Sequence, residues 1–277
     1  MYQYASPLRY PGGKSCLTKH FVELIKLNNL SNKTYVEPFA GGAGAALSLL
    51  FLEFINSIWI NDADYNIYCL WYSILNDTEE FIKKISKCKV NINTWKKAKI
   101  LINNNQNHSK LEIGFSTFFL NRCNHSGIIN AGPIGGIEQE GKWKIDARFN
   151  KSDLINRITK IANYKERINT SNLDASILLN KINSDNYFFY LDPPYYKKGK
   201  ELYLNYYEPE DHAMLSNDIN KLNTSWVLSY DNTPEITKLY MDKRHKTFDI
   251  SYSANKTKRG SEILFYSNQL IIPENIY

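Results

Sequence analysis
The run Tyr187-Phe188-Phe189-Tyr190-Leu191 stops at Asp192-Pro193-Pro194-Tyr195-Tyr196, and that stop narrows the possible folds more than any other stretch of the chain. An unbroken apolar and aromatic run of this length suits a parallel strand covered on both faces. Proline has no N–H for the ladder, so the strand must end at Asp192. In an open α/β sheet, ligands bind at the carboxyl ends of the strands. Asp192 and Tyr195 are therefore expected at the rim of a crevice, although a strand closed by a Pro-Pro turn over a buried tyrosine would use the same residues.

The chemistry open to such a quartet follows from its groups. The exocyclic amine of adenine is a poor nucleophile because its lone pair is spread into the ring. A carboxylate and a backbone carbonyl held rigid by prolines can accept both amine hydrogens, favour a tetrahedral nitrogen and stabilise the positive charge that develops there. Tyr195 offers a flat face on which an extruded base can stack.

Two glycine-bearing turns come earlier. Tyr10-Pro11-Gly12-Gly13-Lys14 leads into apolar helical periodicity over Leu17 to Leu27. It is not a P-loop, because that motif needs a glycine where Leu8 stands. It can present Lys14 and the Tyr10 ring to an anionic, aromatic-bearing small molecule, or be a tight turn beside a solvated lysine. Thr34 to Gly44 then reads as a strand and a glycine-rich turn, followed by a helix over Ala45 to Phe54. The glycines admit a close ligand and the helix start offers free N–H groups. The third glycine of a dinucleotide fingerprint is missing, since position 47 is Leu. A strand over Ser57 to Ile60 ends at Asn61-Asp62, and Asp62 lies 21 residues beyond Gly41, a spacing at which a strand-end carboxylate meets ribose hydroxyls. Together these features favour a nucleoside-bearing cofactor over a purely structural turn.

The formal net charge of +6 is unevenly spread. Asn76 to Thr170 holds 17 Lys and Arg against 9 Asp and Glu, so the rest of the chain carries −2. A polyanion would dock on this basic middle, unless it is only a solvated surface. Helical patterning recurs there at Ile67 to Leu75, Glu79 to Ile85, Thr94 to Ile102 and Leu111 to Arg122. A glycine-rich loop or hairpin arm follows over Ile128 to Arg148. Asn121, Arg122, Asn124, His125, Lys142, Lys144 and Arg148 are of the types that read base edges or bind phosphates, and Trp143 can wedge between bases. His125 has no second ligand at suitable spacing, so no metal site is expected. After a helix at Ser152 to Ala162, strands are expected at Arg167 to Leu173, ended by Asp174, and at Ser225 to Tyr230, Lys246 to Ile250 and Glu262 to Ser267. The last two flank a basic turn, Asn255 to Gly260, whose Lys256, Lys258 and Arg259 can grip a phosphate or simply be solvated.

Other classes fall away on simple grounds. The longest uncharged, apolar-looking run, Pro38 to Leu52, has four Gly or Pro in 15 residues, too short and broken for a membrane span. No export signal is read at the start, so a cytoplasmic protein is expected. Cys16, Cys69, Cys88 and Cys123 lack paired spacing and are expected as free thiols.

Taken together, the motifs resemble those of the Dam-type DNA adenine N6-methyltransferases. Tyr10-Pro-Gly-Gly-Lys14 is similar to the family's N-terminal cofactor motif and Glu37-Pro-Phe-Ala-Gly-Gly-Ala-Gly44 to its glycine-rich motif. Asp62 resembles its ribose acid and Asp192-Pro-Pro-Tyr195 its catalytic quartet. Leu120-Asn-Arg122, Lys144 to Asn150, Ser229-Tyr-Asp231 and Lys256 to Leu264 resemble further stretches in the same order, so the likeness covers nearly the whole chain. The resemblance implies an S-adenosylmethionine donor and an α/β fold, a seven-stranded, mostly parallel Rossmann-like sheet with flanking helices and an inserted, mainly helical target-recognition subdomain. The catalytic domain would comprise residues 1–75 and 166–277, and the inserted subdomain residues 76–165. Tyr10, Lys14, Phe39, Gly41, Asp62, Asp174 and Asp192 would hold the cofactor. Asp192, Pro193 and Pro194 would form the amine site, and Tyr195 would stack on an adenine flipped out of double-stranded DNA. After His125 the chain departs from the GATC-methylating members, with Gly127-Ile-Ile-Asn-Ala-Gly132-Pro-Ile-Gly-Gly136 in place of their sequence, so the target site is not implied.

Cytosine C5 chemistry needs a nucleophilic cysteine after proline, and none of the four cysteines follows one. Cytosine N4 enzymes more often carry serine before the two prolines, which favours adenine. RNA or protein amines, and a non-catalytic DNA-binding module, stay open on the quartet alone. So do the oligomeric state, for which a monomer is compatible, and the setting: the modification half of a restriction system, a solitary regulator or a phage enzyme.

Overall fold
The computed structural model describes residues 5–9, 14–197, 206–252 and 258–276. They form two units, one of residues 14–63 and 167–276, the other of residues 5–9 and 64–166. Among the described residues no helix is long and apolar enough to cross a membrane.

The first unit is built on seven strands: β1 (Thr34–Glu37), β2 (Ser57–Asn61), β3 (Ile168–Ser171), β4 (Tyr187–Leu191), β5 (Ser225–Asp231), β6 (Arg244–Tyr252) and β7 (Lys258–Tyr266). Their order is β3-β2-β1-β4-β5-β7-β6, with neighbours among β1 to β5 parallel and β7 antiparallel to both β5 and β6. The order reverses between β1 and β4, where Val36 is registered with Phe189. Such a reversal opens a crevice at the carboxyl ends of the two strands. The glycine turn leaves β1 there, and the Asp-Pro-Pro-Tyr stop leaves β4.

Burial on both faces explains why these strands need no polar alternation. One face of the sheet packs Val36, Phe189, Leu191 and Leu228 with Leu178 and Leu179 of α8 (Ala175–Lys181) and with Leu215 and Ile219 of α9 (Pro209–Asn220). Phe21 of α1 (Thr18–Leu27) meets Tyr190 edge-on at 4.7 Å, and Tyr35 meets Phe188 at 5.5 Å. Two helices were not foreseen. The helix α9 starts at a proline under a reciprocal Glu208–Asp211 cap, and α10 (Pro234–Leu239) starts at a proline under Thr233.

The second unit holds α3 (Tyr65–Asn76), α4 (Thr78–Lys87), α5 (Ile92–Asn103), α6 (Lys110–Cys123) and α7 (Lys151–Asn163). The helix α3, expected as part of the sheet domain, clusters here with the others. Side chains of Asp64, Asn91, Ser109 and Asn150 cap four of these helix starts. α6 lies close against α3: a Cβ on Gly114 would stand 2.5 Å from the Cys69 carbonyl oxygen. The expected hairpin alternative between α6 and α7 is corrected. Residues 124–149 contain one isolated bridge, Asn124 to Pro133, a short 3-10 helix at His125–Gly127, and otherwise turns and irregular backbone. Glycine and proline crowd 132–136, and Gln139 holds the turns together, its Nε2 donating to the Ile134 carbonyl and its Oε1 accepting from Ile145 N at 2.8 Å.

Candidate active site
The prolines of the stop are buried, and Asp192 is the more open group beside them. Its Oδ1 accepts from Ser229 Oγ at 2.6 Å and from Lys14 Nζ at 2.8 Å, and its Oδ2 accepts from Lys14 Nζ at 2.9 Å. Ser229 sits on β5 and is also bonded to the Tyr190 hydroxyl at 2.8 Å. Lys14, at the start of a 3-10 turn, donates to the Tyr195 hydroxyl at 2.9 Å, and that hydroxyl donates to Glu262 Oε1. Asp192 keeps 21% of its side chain exposed, against 3% for Lys14 and 0% for Glu262, so it is the member of this network that an incoming group can reach. The backbone past the prolines is pinned too: Asp231 accepts from Tyr196 N at 2.9 Å and from Lys197 N at 3.0 Å.

At the end of β1 the chain reverses through left-handed residues, Gly41 at φ 45° and Ala43 at φ 47°, and enters α2 (Gly44–Phe51). Gly41 has no Cβ to oppose that conformation. Asp62 Oδ2 accepts from Gly41 N at 2.9 Å, so the predicted pair meets directly. Buried Asn61 ties the neighbouring strand ends: its Nδ2 donates to the Pro38 and Leu173 carbonyls, and its Oδ1 accepts from Ser171 Oγ and Leu173 N. Glu37 is buried and accepts from Ala46 N in the first turn of α2 at 3.0 Å; burial pushes its pKa up to about 8, so it is largely protonated at pH 7. Phe39 is half-buried and meets the Tyr207 ring edge-on at 6.0 Å. Burial, reinforced by Asp174, raises the Tyr207 phenol and keeps it a donor. Asp174 is exposed and caps α8 through Ser176 N at 2.8 Å. Tyr10 lies outside the described residues.

Ser229, Asp231, Glu262 and Tyr207 were not singled out as site residues from sequence. Only the Ser-Tyr-Asp run and the basic segment containing Glu262 gave a signal, as stretches of the resemblance.

The residues expected to contact DNA divide sharply. Asn121 is 1% exposed, and its amide is spent inside the second unit on Arg9 N, the Arg9 carbonyl and the Gly127 carbonyl, at 2.8, 2.8 and 2.9 Å. Asn124 is fully buried; it donates to the Ile128 and Ile129 carbonyls at 2.9 Å each and accepts from Trp95 Nε1 at 2.6 Å. Neither presents a group to a base edge, and that expectation is corrected. Arg122 is half-buried and donates to the Arg148 and Pro7 carbonyls, and burial lowers its pKa to about 10, which leaves it charged. It braces the backbone. His125, Lys142, Lys144 and Arg148 are exposed, with Trp143 between the lysines at 65% exposure. Lys256 lies outside the described residues, and Lys258 and Arg259 belong to β7, paired with Tyr252 and Ser251, rather than to a turn. Among the described residues no group of three or more His, Cys, Asp or Glu is arranged to hold a metal ion.

The mostly parallel sheet reversed at β1 and β4, with a glycine turn after one strand and the Asp-Pro-Pro-Tyr stop after its neighbour, is Rossmann-like. The D12 class N6 adenine-specific DNA methyltransferases match residues 10–257, and the chain belongs to that family. A relative named Type II methyltransferase M.MjaIII, from Methanocaldococcus jannaschii, is 23% identical over 201 residues, 68% of each chain. Among solved structures, one provisionally described as an RNA methyltransferase of Pyrococcus horikoshii covers 94% of this chain and 86% of its own at 10% identity, with a TM-score of 0.45. A Thermoplasma acidophilum protein covers 93% and 88% at 10% identity, with a TM-score of 0.37. Scores at that level carry no weight for activity.

Proposed function
We propose that this enzyme transfers a methyl group from S-adenosylmethionine to N6 of an adenine flipped out of duplex DNA. The observation that carries the reading is Asp192, anchored at the end of β4 by Lys14 and Ser229, yet the most open member of its network. A carboxylate so held does not reorganise as charge develops, and beside the Pro193 carbonyl it accepts the amine hydrogens and steadies the positive nitrogen. Asp62 offers a half-buried carboxylate to ribose hydroxyls, the Gly41 turn admits a ligand close to the backbone, and Phe39 offers an apolar ring. That donor set fits the cofactor, which when bound supplies the methyl group from its sulfonium. Tyr10, Lys14 and Asp174 complete the proposed cofactor residues. Tyr195 is 1% exposed, so stacking on the base requires its ring to be uncovered as the base enters.

The unit of α3 to α7 is the proposed target-recognition subdomain, with His125, Lys142, Lys144 and Arg148 as its phosphate and base contacts. The name of the M.MjaIII relative supports a role as the modification half of a restriction system. Methylation of duplex DNA by purified protein tests the reading. Asp192→Ala should slow it by at least ~10²-fold, comparable to losing one preorganised transition-state contact. A variant with Cys16, Cys69, Cys88 and Cys123 all replaced should stay active. An active Asp192→Ala, or a folded, ligand-binding cysteine-free protein that cannot methylate, would sink it.

A further inference from the structure
Glu262 has no task in the reaction as derived so far. It is fully buried on β7 and registered directly opposite Asp231 of β5. Carboxylates directly opposite on neighbouring strands repel, and a buried carboxylate costs several kcal/mol of desolvation unless it is paired. Packing alone would favour an apolar residue there, as at Ile263, Leu264 and Phe265. Both acids instead serve the segment after β4. Asp231 receives the backbone N–H groups of Tyr196 and Lys197, while Glu262 receives the Tyr195 hydroxyl and lies 3.7 Å from Lys14 Nζ. Lys14 in turn bonds both oxygens of Asp192.

The geometry points to Glu262 as a positioning residue for methyl transfer, which fixes the Tyr195 hydroxyl and shares Lys14 with Asp192, and so sets the orientation and charge of the carboxylate that meets the amine. The inference rests on the role given to Asp192 and Tyr195 above. Glu262 and Asp192 both face Lys14, so Glu262→Gln leaves Lys14 to Asp192 alone, which weakens that carboxylate as an acceptor for the amine.

The test is single-turnover methylation of an adenine-containing duplex at saturating DNA and S-adenosylmethionine, with Glu262→Gln, Tyr195→Phe and the double variant compared. Each single variant should slow methyl transfer roughly 10- to 100-fold, below or near the loss of one direct transition-state contact. Affinities for both ligands should stay within about twofold, and because the two changes break one chain the double variant should be far less impaired than the product of the singles. A parental rate for Glu262→Gln, multiplicative effects, or a defect confined to ligand affinity overturns the assignment. If Glu262→Gln does not fold, Tyr195→Phe, which keeps the ring, decides it alone: an unchanged rate removes the link. Asp192→Ala separates the two levels of failure. Full activity there overturns the proposed reaction itself, whereas a slow Asp192→Ala beside a fast Glu262→Gln removes only the role of Glu262.

Discussion

Asn124 has both N–H groups and its oxygen engaged inside the second unit, on the Ile128 and Ile129 carbonyls and on the Trp95 indole. Asn124→Ala strands those three partners, at roughly 1–3 kcal/mol for each buried group left unsatisfied. Urea denaturation should therefore show a loss of several kcal/mol, while protein that remains folded should methylate the same DNA sequence as the parent. An unchanged stability with a changed target sequence would show that Asn124 reads a base after all. The side chain that can read an adenine edge is also the one that can close a turn on backbone amides, and sequence does not separate these uses. Glu37 carries a different residue-scale consequence. Burial raises its pKa from the ordinary 4.5 to about 8, so between those values the folded chain holds a proton that the unfolded chain has released. The native state then binds more protons, and stability falls as pH rises through that window and levels off above it. Glu37→Gln should flatten this part of the profile in thermal denaturation from pH 5 to 9. Parallel profiles for the two proteins would assign the pH dependence elsewhere.

At the scale of elements, the end of β5 acts on the end of β4. Asp231 takes two consecutive backbone N–H groups just past the quartet, which makes the Pro-Pro segment a fixed corner. Asp231→Ala should speed amide exchange at Tyr196 and Lys197. It should slow methylation at least ~10-fold, since a misplacement of about 1 Å at a reacting centre costs on the order of 10²-fold. Hydrogen exchange and rate measurements on the same preparation check both. Exchange that quickens without any change in rate would mean that the corner is rigid for other reasons. The strand that feeds this corner was readable because a fully apolar run met two prolines, and β1 and β2 because each ended in a recognisable turn or acid. α9 was not, because its buried face mixes Leu215 and Ile219 with His212 and Ser216, which blurs the apolar periodicity. Glu262 was also missed as a site residue. A charged residue near a basic turn reads as part of a solvated hairpin, and its partner Tyr195 stands 67 residues away in sequence.

At the scale of the whole molecule, charge is the property that survives without any detailed contact. Asn76 to Thr170 carries an excess of eight positive charges, from 17 Lys and Arg against 9 Asp and Glu. Docking of duplex DNA on that surface releases condensed counterions, so the logarithm of affinity should fall linearly with the logarithm of salt concentration, with a slope near −0.9 for each phosphate neutralised. Lys142 and Lys144 are exposed on either side of Trp143, Lys142 over the Trp143 ring and Lys144 Nζ donating to the Gln139 carbonyl at the surface. Removing either should weaken binding about equally on every sequence and make the slope shallower by ~1. Arg122 should behave differently although it is also cationic, because its guanidinium is spent on the Arg148 and Pro7 carbonyls. Arg122→Ala should lower stability more than it changes the salt slope. Urea denaturation reads the stability of Arg122→Ala, and fluorescence anisotropy of labelled duplexes from about 50 to 200 mM salt, on about three unrelated sequences, reads the slopes over the range in which phosphate-driven complexes weaken. Salt-independent binding, or a lysine variant that loses affinity for one sequence alone, would assign DNA docking to a surface other than the basic middle.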